Sequence, residues 1–423
     1  MVAKARLSRD RMELNVASEA MSNTPYGPAT GRVWSATTLG RRAPNGASID
    51  MHVLDTTMLY GPMGGGVARY LKEKRVWLAR NSPCRHSLVV PGPFNGIGEE
   101  GEHFMATWAP NEAARRWPWH AMRWLQAIRR YAPDIIEAQD PGLVGWVALR
   151  AARELGIPLV AFCHSDVADH VSRRLGGIAG SVTRAYLQAF YCRCDVVLTP
   201  SEFMRRRLLD WNVENVVVRP LGVDLKIFTP HARTATLRRE LGLSERTRLL
   251  VYAGRFAREK NLNVLLAAFR QLGPPYHLLL LGAGDPVPRQ ANVIVRHYER
   301  SSRELARVLA SADGLVHAGD QESFGLVLLE AMACGRGVIA AAAGAAPELV
   351  TLETGMLAPA RDAGALASTI EAFYQRDLDA MGRRARAHVE RSYGWDPVMR
   401  GLLEVYRAVQ RWEYRGATGY VAS

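Results

Sequence analysis

From residue 51 onward the chain alternates short aliphatic runs with longer stretches of helical spacing, and this alternation limits the possible folds more than any other feature. The first half carries MHVLDTTMLYG, HSLVVPG, PDIIEAQD, GIPLVAFCHSD, CDVVLTPS and NVVVRPLGVD; the second carries RLLVYAGR, HLLLLGAGD, NVIVRHY, DGLVHAGD and GVIAAAAG. Short runs of this kind, followed by amphipathic segments such as SRELARVLASA at 302–312, suit parallel strands buried on both faces by crossover helices. The two sets meet near Val223 to Pro230. The pattern therefore predicts an α/β chain of two doubly wound, Rossmann-like domains, 49–225 and 226–394. Their strands' carboxyl ends would face a shared ligand cleft.

Composition narrows the classes of function. At 423 residues, 48% apolar and 22% charged, the chain can fill two globular cores. No run approaches the roughly 18–20 apolar residues needed to span a bilayer, and no charged-then-apolar leader opens the chain, so the expectation is a cytoplasmic protein. Five cysteines form an odd, sparse set, which fits reduced thiols, and Cys192 with Cys194 lacks the second pair that a zinc site needs. A net charge of +13 favours polyanionic partners: nucleic acid, acidic lipid headgroups or phosphorylated ligands. Residues 1–48 are polar and without period, and read as a disordered or overlong start; residues 413–423 read as a second tail.

Four motifs point into the expected cleft. QESFGLVLLEAMACG, residues 321–335, sets Glu330 inside an otherwise apolar helix, Leu326 to Met332, with a second acid, Glu322, eight residues earlier. A buried carboxylate must be paired, carried to an edge or reserved for a ligand. Helical rise would separate the two acids by roughly 8–12 Å. Phe324 and Gly325 would open the helix, whose free amides attract phosphate. In AGRFAREKNLNVLLAAF, Arg255 ends a strand and Lys260 precedes a helix; two cations aimed at one point suit a diphosphate, and pairing with Glu259 is the structural alternative. GPMGGGVARYL places Gly64, Gly65 and Gly66 at a helix start, where bare backbone can approach an anion or simply form a tight turn. AFCHSDV ends a strand with His164, Ser165 and Asp166, where catalytic groups project and structural histidines also occur. Carboxylates flanking a cationic centre suit a sugar nucleotide.

Taken in order, the glycine loop at 64–66, the VD...F.P turn from Val223 to Pro230, the GR...EKN segment from Gly254 to Asn261, the Glu322/Glu330 pair and the late GVIAAAAGAAPELV resemble glycosyltransferase family 4, retaining enzymes of GT-B fold. The likeness covers roughly residues 51–412. It implies that Glu322 contacts donor-sugar hydroxyls, within a donor loop that includes Ser323, Phe324 and Gly325, and that Glu330 contacts the ribose. It also implies Arg255 and Lys260 on the diphosphate, Gly65 and Gly66 on the phosphate from the first domain, and His164 beside the reacting centre with Asp166 close by. The segment 395–412 looks like a terminal helix that crosses back to the first domain. One departure from the pattern is the alanine tract Ala340 to Ala343 ahead of Gly344.

The implied activity is transfer of a hexose from a nucleotide diphosphate sugar, of UDP or GDP type, to a hydroxyl acceptor. The HSD segment resembles the HTD-type segment of relatives that glycosylate lipids or inositol phosphates. Breaking the anomeric bond builds negative charge on the departing diphosphate, which preplaced cations and helix amides stabilise without a metal or other cofactor. The only Asp-x-Asp, Asp377 and Asp379, lies in a helical stretch. The alternatives are a GT-B-fold epimerase or hydrolase, or a non-catalytic paralogue. A nicotinamide enzyme is disfavoured because LGAGDPV breaks off its glycine pattern, and a nucleic-acid binder leaves the glutamate pair without a purpose. NEAARRWPWHAMRWLQAIRRY, 111–131, interleaves Trp117, Trp119 and Trp124 with Arg115, Arg116, Arg123, Arg129 and Arg130. It reads as a contact with an anionic membrane at its inner face, or as tryptophans packed beneath arginines that face water.

Overall fold

The computed structural model describes residues 51–60, 65–107, 120–297 and 301–418; the expected tail at 1–48, Gly64 and the Trp117/Trp119 part of the arginine–tryptophan stretch lie outside them. An eight-stranded sheet comprises β1 (His52–Thr56), β2 (Arg85–Gly92), β3 (Gly96–Ile97), β4 (His103–Ala106), β5 (Ile135–Ala138), β6 (Leu159–Phe162), β7 (Val196–Thr199) and β8 (Val216–Val218). Its order is β3-β4-β2-β1-β5-β6-β7-β8, parallel except for β3 against β4. A six-stranded, all-parallel sheet follows, from β9 (Arg248–Ala253), β10 (Tyr276–Leu281), β11 (Val293–Arg296), β12 (Gly314–His317), β13 (Gly337–Ala341) and β14 (Gly355–Ala358). Its order is β11-β10-β9-β12-β13-β14. Strand order reverses between β1 and β5 and between β9 and β12, and such switch points open the crevices in which doubly wound sheets bind ligands.

The apolar runs became the central strands because both sheet faces are covered: every residue of β5, β6, β7, β12 and β13 is buried. Three strands escaped the sequence reading. β3 is a two-residue edge strand, β4 beside it mixes His and Phe, and β14 is a four-residue edge strand, so none carries a sustained apolar pattern. The principal helices are α1 (Gly65–Asn81), α2 (Ala121–Arg130), α3 (Leu143–Leu155), α4 (Val167–Leu175), α5 (Gly177–Tyr191), α6 (Glu202–Leu209), α7 (Leu262–Leu272), α8 (Ser302–Ser311), α9 (Leu326–Ala333), α10 (Ala363–Phe373), α11 (Leu378–Ser392) and α12 (Trp395–Thr418). In α2 the stripe Trp124, Leu125, Ile128 is buried while Arg123, Arg129 and Arg130 face out, so the Trp124 ring packs beneath the domain. The five cysteines are free thiols.

The chain passes between the two sheets at adjacent points: Val223 bridges Gly394, and its N–H donates to the Tyr393 carbonyl at 2.8 Å. Beyond that crossing α12 lies on α1. Trp77 Nε1 donates to Asp396 Oδ1 at 3.2 Å, and Arg219 Nε donates to the Gly401 carbonyl at 2.9 Å.

One residue breaks the apolar stripe of α1. Lys74 shares the inward face with Val67, Tyr70, Leu71, Trp77 and Leu78 and is fully buried. Its ammonium lies 2.6 Å from Asp55 Oδ2 on β1 and 3.1 Å from Glu137 Oε2 on β5, both also fully buried. His86 of β2 closes on Asp55, and the Tyr406 hydroxyl of α12 donates to Glu137. Burial pushes the Asp55 carboxyl up, but Lys74 and His86 outweigh it and hold it below its usual range. For Glu137 burial wins over Lys74, helped by the neighbouring Asp55, and the carboxyl is raised. Lys74→Met keeps the volume but removes the ammonium beside two buried acids. It should lower stability to chemical denaturation by about 3–5 kcal/mol; a loss below about 1 kcal/mol would mean that the cluster does not depend on that charge.

Candidate functional site

β12 and the turn before α7 build the centre of the site. The 3-10 turn Arg258–Lys260 ends at Asn261, which is left-handed at φ 51° and whose Nδ2 donates to the Ala318 carbonyl at 3.1 Å. That bond fastens the turn to the end of β12 and brings the Lys260 ammonium onto Glu322. His317, the last residue of β12, is buried against Tyr252, with ring centroids 5.7 Å apart, and its Nε2 lies 3.2 Å from Glu322 Oε1. Burial pushes the Glu322 carboxyl up, but His317 and Lys260 outweigh it and hold it well below the usual carboxylate range. Glu322 is therefore an ionised acceptor.

The loop from Glu322 to Gly325 is irregular, so helical rise does not govern the separation of the two acids; α9 begins at Leu326, after Gly325 at φ 93°. Gly344, which ends the alanine tract, has a steric reason. The backbone turns back at Gly344, φ 60°, where a Cβ would stand 2.6 Å from the Glu322 carbonyl oxygen, and Ala345 N–H donates to that oxygen at 2.8 Å. Small residues let this turn seat the Glu322 backbone.

The loop also reaches the first sheet. Ser323 Oγ donates to the His164 carbonyl at 3.1 Å, and Ser201 Oγ donates to the Ser323 carbonyl at 2.6 Å. Glu348 accepts the Glu202 and Phe203 N–H groups at 2.7 and 2.6 Å, at the open amino end of α6. His164 follows β6. Its ring stacks on Phe162 at 4.1 Å with 2° between planes, and its Nε2 is 2.8 Å from Gln139 Oε1. Burial pushes the imidazole down to about 3, so it is neutral in working conditions.

Glu330, the carboxylate within α9, is buried and paired across the cleft. Arg69 Nη1 is 2.9 Å from Glu330 Oε1, while Arg69 Nη2 donates to Ser302 Oγ at 2.7 Å. Burial dominates over Arg69 and pushes the carboxyl up to about 7. Arg69 stands in the opening turns of α1, after Gly65 at φ 58°; beside Gly65 and Gly66 there is open space where side chains would otherwise lie.

Lys260, Glu322, Ser323, Phe324, Gly325 and His164 thus share one neighbourhood, with Glu330 facing the glycine turn through Arg69. Two expected residues do not join them. Arg255 is largely exposed and pairs with Glu259 at 2.9 Å. The Asp166 carboxylate caps α4, accepting from Asp169 N–H at 2.9 Å, and also holds Arg207 Nε at 2.8 Å, so its oxygens are engaged in structure. Asp377 likewise caps α11. Among the described residues no group of three His, Cys, Asp or Glu could hold a metal ion. Sequence reading passed over Arg69, His317 and Ser201. His317 was detectable as a polar residue ending an apolar strand; nothing local marked the other two.

Comparison with known proteins agrees with this fold. A family model described as Glycosyltransferase Family 4 matches residues 64–227, and one described as Glycosyl transferases group 1 matches residues 247–376. A GDP-mannose-dependent alpha-mannosyltransferase of Mycobacterium tuberculosis is 32% identical over 299 residues, 68% of this chain and 76% of that one. A GDP-mannose-dependent monoacylated alpha-(1-6)-phosphatidylinositol monomannoside mannosyltransferase of Corynebacterium glutamicum is 26% identical over 86% of this chain and 100% of that one. The structure of a sucrose-phosphate synthase from Thermosynechococcus elongatus superposes with a TM-score of 0.69 at 22% identity, covering 84% of this chain and 98% of that one.

Proposed function

The chain belongs to glycosyltransferase family 4 and has the GT-B fold, and from that premise we propose that it transfers mannose from GDP-mannose to a hydroxyl of a membrane-lipid acceptor, with retention at the anomeric carbon. The observation that carries the reading is the Lys260–Glu322–His317 cluster at the carboxyl end of β12, beside the switch point, where a cation and an ionised acceptor meet. The transferase activities in the relatives' names favour group transfer over epimerisation, hydrolysis or a non-catalytic role. Glu322 accepts from sugar hydroxyls. Lys260 and the free amides at the start of α9 lie where charge grows on the leaving diphosphate, which lowers the barrier without a metal. Arg255 stands at the rim and contributes through its charge if Glu259 releases it. The acceptor hydroxyl approaches on the leaving-group face, and a phosphate oxygen takes its proton.

Glu330 receives the ribose hydroxyls once Arg69 gives way. Turnover is read as GDP released from GDP-mannose in the presence of phosphatidylinositol vesicles. Lys260→Ala should reduce kcat by about 10²–10³, the scale of losing one preorganised charge-stabilising group, and Glu330→Ala should also abolish measurable turnover. Because a carboxylate accepts better than a carboxyl, and Glu330 loses its proton near 7, GDP-mannose should bind up to about tenfold more tightly at pH 8 than at pH 6. The step should vanish in Glu330→Gln. Near-normal turnover by either alanine variant overturns the donor assignment.

The lipid acceptor rests on the phosphatidylinositol-derived substrate in the Corynebacterium glutamicum relative's name and on the outward arginines of α2. No helix among the described residues is long and apolar enough to cross a membrane, so contact would be peripheral. Arginines near an anionic surface contribute about 1 kcal/mol each. Sedimentation should recover the protein with anionic but not neutral vesicles, and Arg123→Gln with Arg130→Gln should weaken recovery. Equal recovery in the supernatant with both vesicle types points to a soluble acceptor.

A further inference from the structure

The buried polar chain that starts at Tyr406 on α12 runs through Glu137 and Gln139 and ends at His164, at the edge of the cleft. Gln139 follows β5 directly, and its backbone N–H continues the sheet by donating to the Thr56 carbonyl at 3.0 Å. Its side chain is 1% exposed. The amide nitrogen lies 2.7 Å from Asp55 Oδ1 and 2.5 Å from Glu137 Oε1. Only a donor fits between two acceptor carboxylates, so the orientation of the amide is determined by its surroundings. The other end, Oε1, then meets His164 Nε2 at 2.8 Å, and an amide oxygen there requires a hydrogen on that nitrogen.

We propose that Gln139 is a positioning residue for the transfer reaction: held between Asp55 and Glu137, it fixes His164 as the Nε2–H tautomer and leaves Nδ1 as a bare acceptor for a hydroxyl of the bound substrate. This rests on the reading of His164 as a residue of the reacting centre. The ring is held in place by other contacts as well. Phe162 stacks on one face, Tyr70 meets it edge-on at 5.9 Å, and Ser323 Oγ holds the His164 carbonyl at 3.1 Å. What Gln139 adds to that scaffold is the choice of nitrogen. The titratable groups around it are Asp55 and His86 on β1 and β2, Lys74 on α1 and Glu137 on β5, with the phenols of Tyr70 and Tyr406 closing the cluster. Burial, aided by Lys74 and opposed by Asp55, disfavours a second proton on the ring, so one neutral tautomer persists across the working range. A hydroxyl meeting Nδ1 always finds a lone pair there, with no competing N–H.

Nitrogen-resolved NMR of the full chain labelled in its histidines, with the His164 signal assigned by its absence from His164→Asn, reads the tautomer directly. The unmodified protein should show His164 protonated on Nε2 and bare on Nδ1 from pH 6 to pH 8. Gln139→Met should give a mixture of tautomers. By the scale seen when a partner that orients a functional histidine is removed, GDP release from GDP-mannose should fall about 10- to 100-fold in kcat, with KM for GDP-mannose within about twofold because the contacts proposed for Lys260, Glu322 and Glu330 are untouched. In a His164→Ala background the same substitution should cost nothing more, since its effect passes through the ring. If Gln139→Met does not fold, the spectrum of the unmodified protein still decides: an Nδ1–H tautomer, or exchange between the two, overturns the proposal. An unchanged tautomer in Gln139→Met, or an equal loss with and without His164, overturns it as well. Full transfer by His164→Ala would instead remove His164 from the reacting centre, a failure of the functional reading rather than of the tautomer assignment.

Discussion

A lysine without access to water holds the first domain together at the place where its function begins. Lys74 reaches Asp55 and Glu137 on the two strands that flank the switch point, and through Glu137 it is connected to Tyr406 on the terminal helix. Taking three charged groups out of water is expensive, and an apolar trio of the same volume would often be as stable. What the ions add is direction. Each carboxylate oxygen needs a donor at a particular place, so β1, β5, α1 and α12 can meet in one arrangement, and Gln139 can lie in only one way between them. The choice of nitrogen on which His164 carries its proton, as proposed above, follows from that chain of demands.

The second domain treats its two acids in opposite ways. Glu322 sits between a lysine and a histidine and stays ionised, whereas Glu330 lies within an apolar helix with one arginine for company and loses its proton near 7. Environments that push two like groups apart are how a single fold gives them different tasks. Glu322 suits permanent hydrogen-bond acceptance, the role the proposed function gives it toward the donor sugar. Glu330 suits a reversible contact, since Arg69 satisfies it here and, in the proposed function, ribose hydroxyls replace that partner.

Much of this was legible in the sequence. The central strands of both sheets announced themselves as apolar runs because burial on both faces leaves no polar position. The site around Glu322 was visible from Glu330, an acid set in an apolar helix, and from its spacing to Glu322 eight residues earlier. Cross-cleft partners were not: Arg69 and Glu330 are 261 positions apart, and only the packing of two sheets brings them together. Arg255 and Asp166 show the converse, since a motif position does not reveal that a nearby Glu259 or the amino end of α4 already engages the side chain. The described part of the arginine–tryptophan stretch divides in the same way, for Trp124 faces the core while Arg123, Arg129 and Arg130 face out. Gln139 and Lys74 were hidden for a simpler reason. A polar residue inside an apolar pattern reads as an interruption until its partners are seen.

The proposed function requires the cleft between the sheets to bind a nucleoside diphosphate through Lys260 and the α9 amides. Thermal unfolding with GDP, UDP or ADP, each in buffer containing a chelator in place of magnesium, addresses that claim directly. The account predicts that GDP raises the melting temperature of the full chain, consistent with about 2.7 kcal/mol of stabilisation at one hundred times its Kd, and that the rise disappears in Lys260→Ala. No shift with any of the three nucleotides, or a shift that appears only when magnesium is restored, would contradict it.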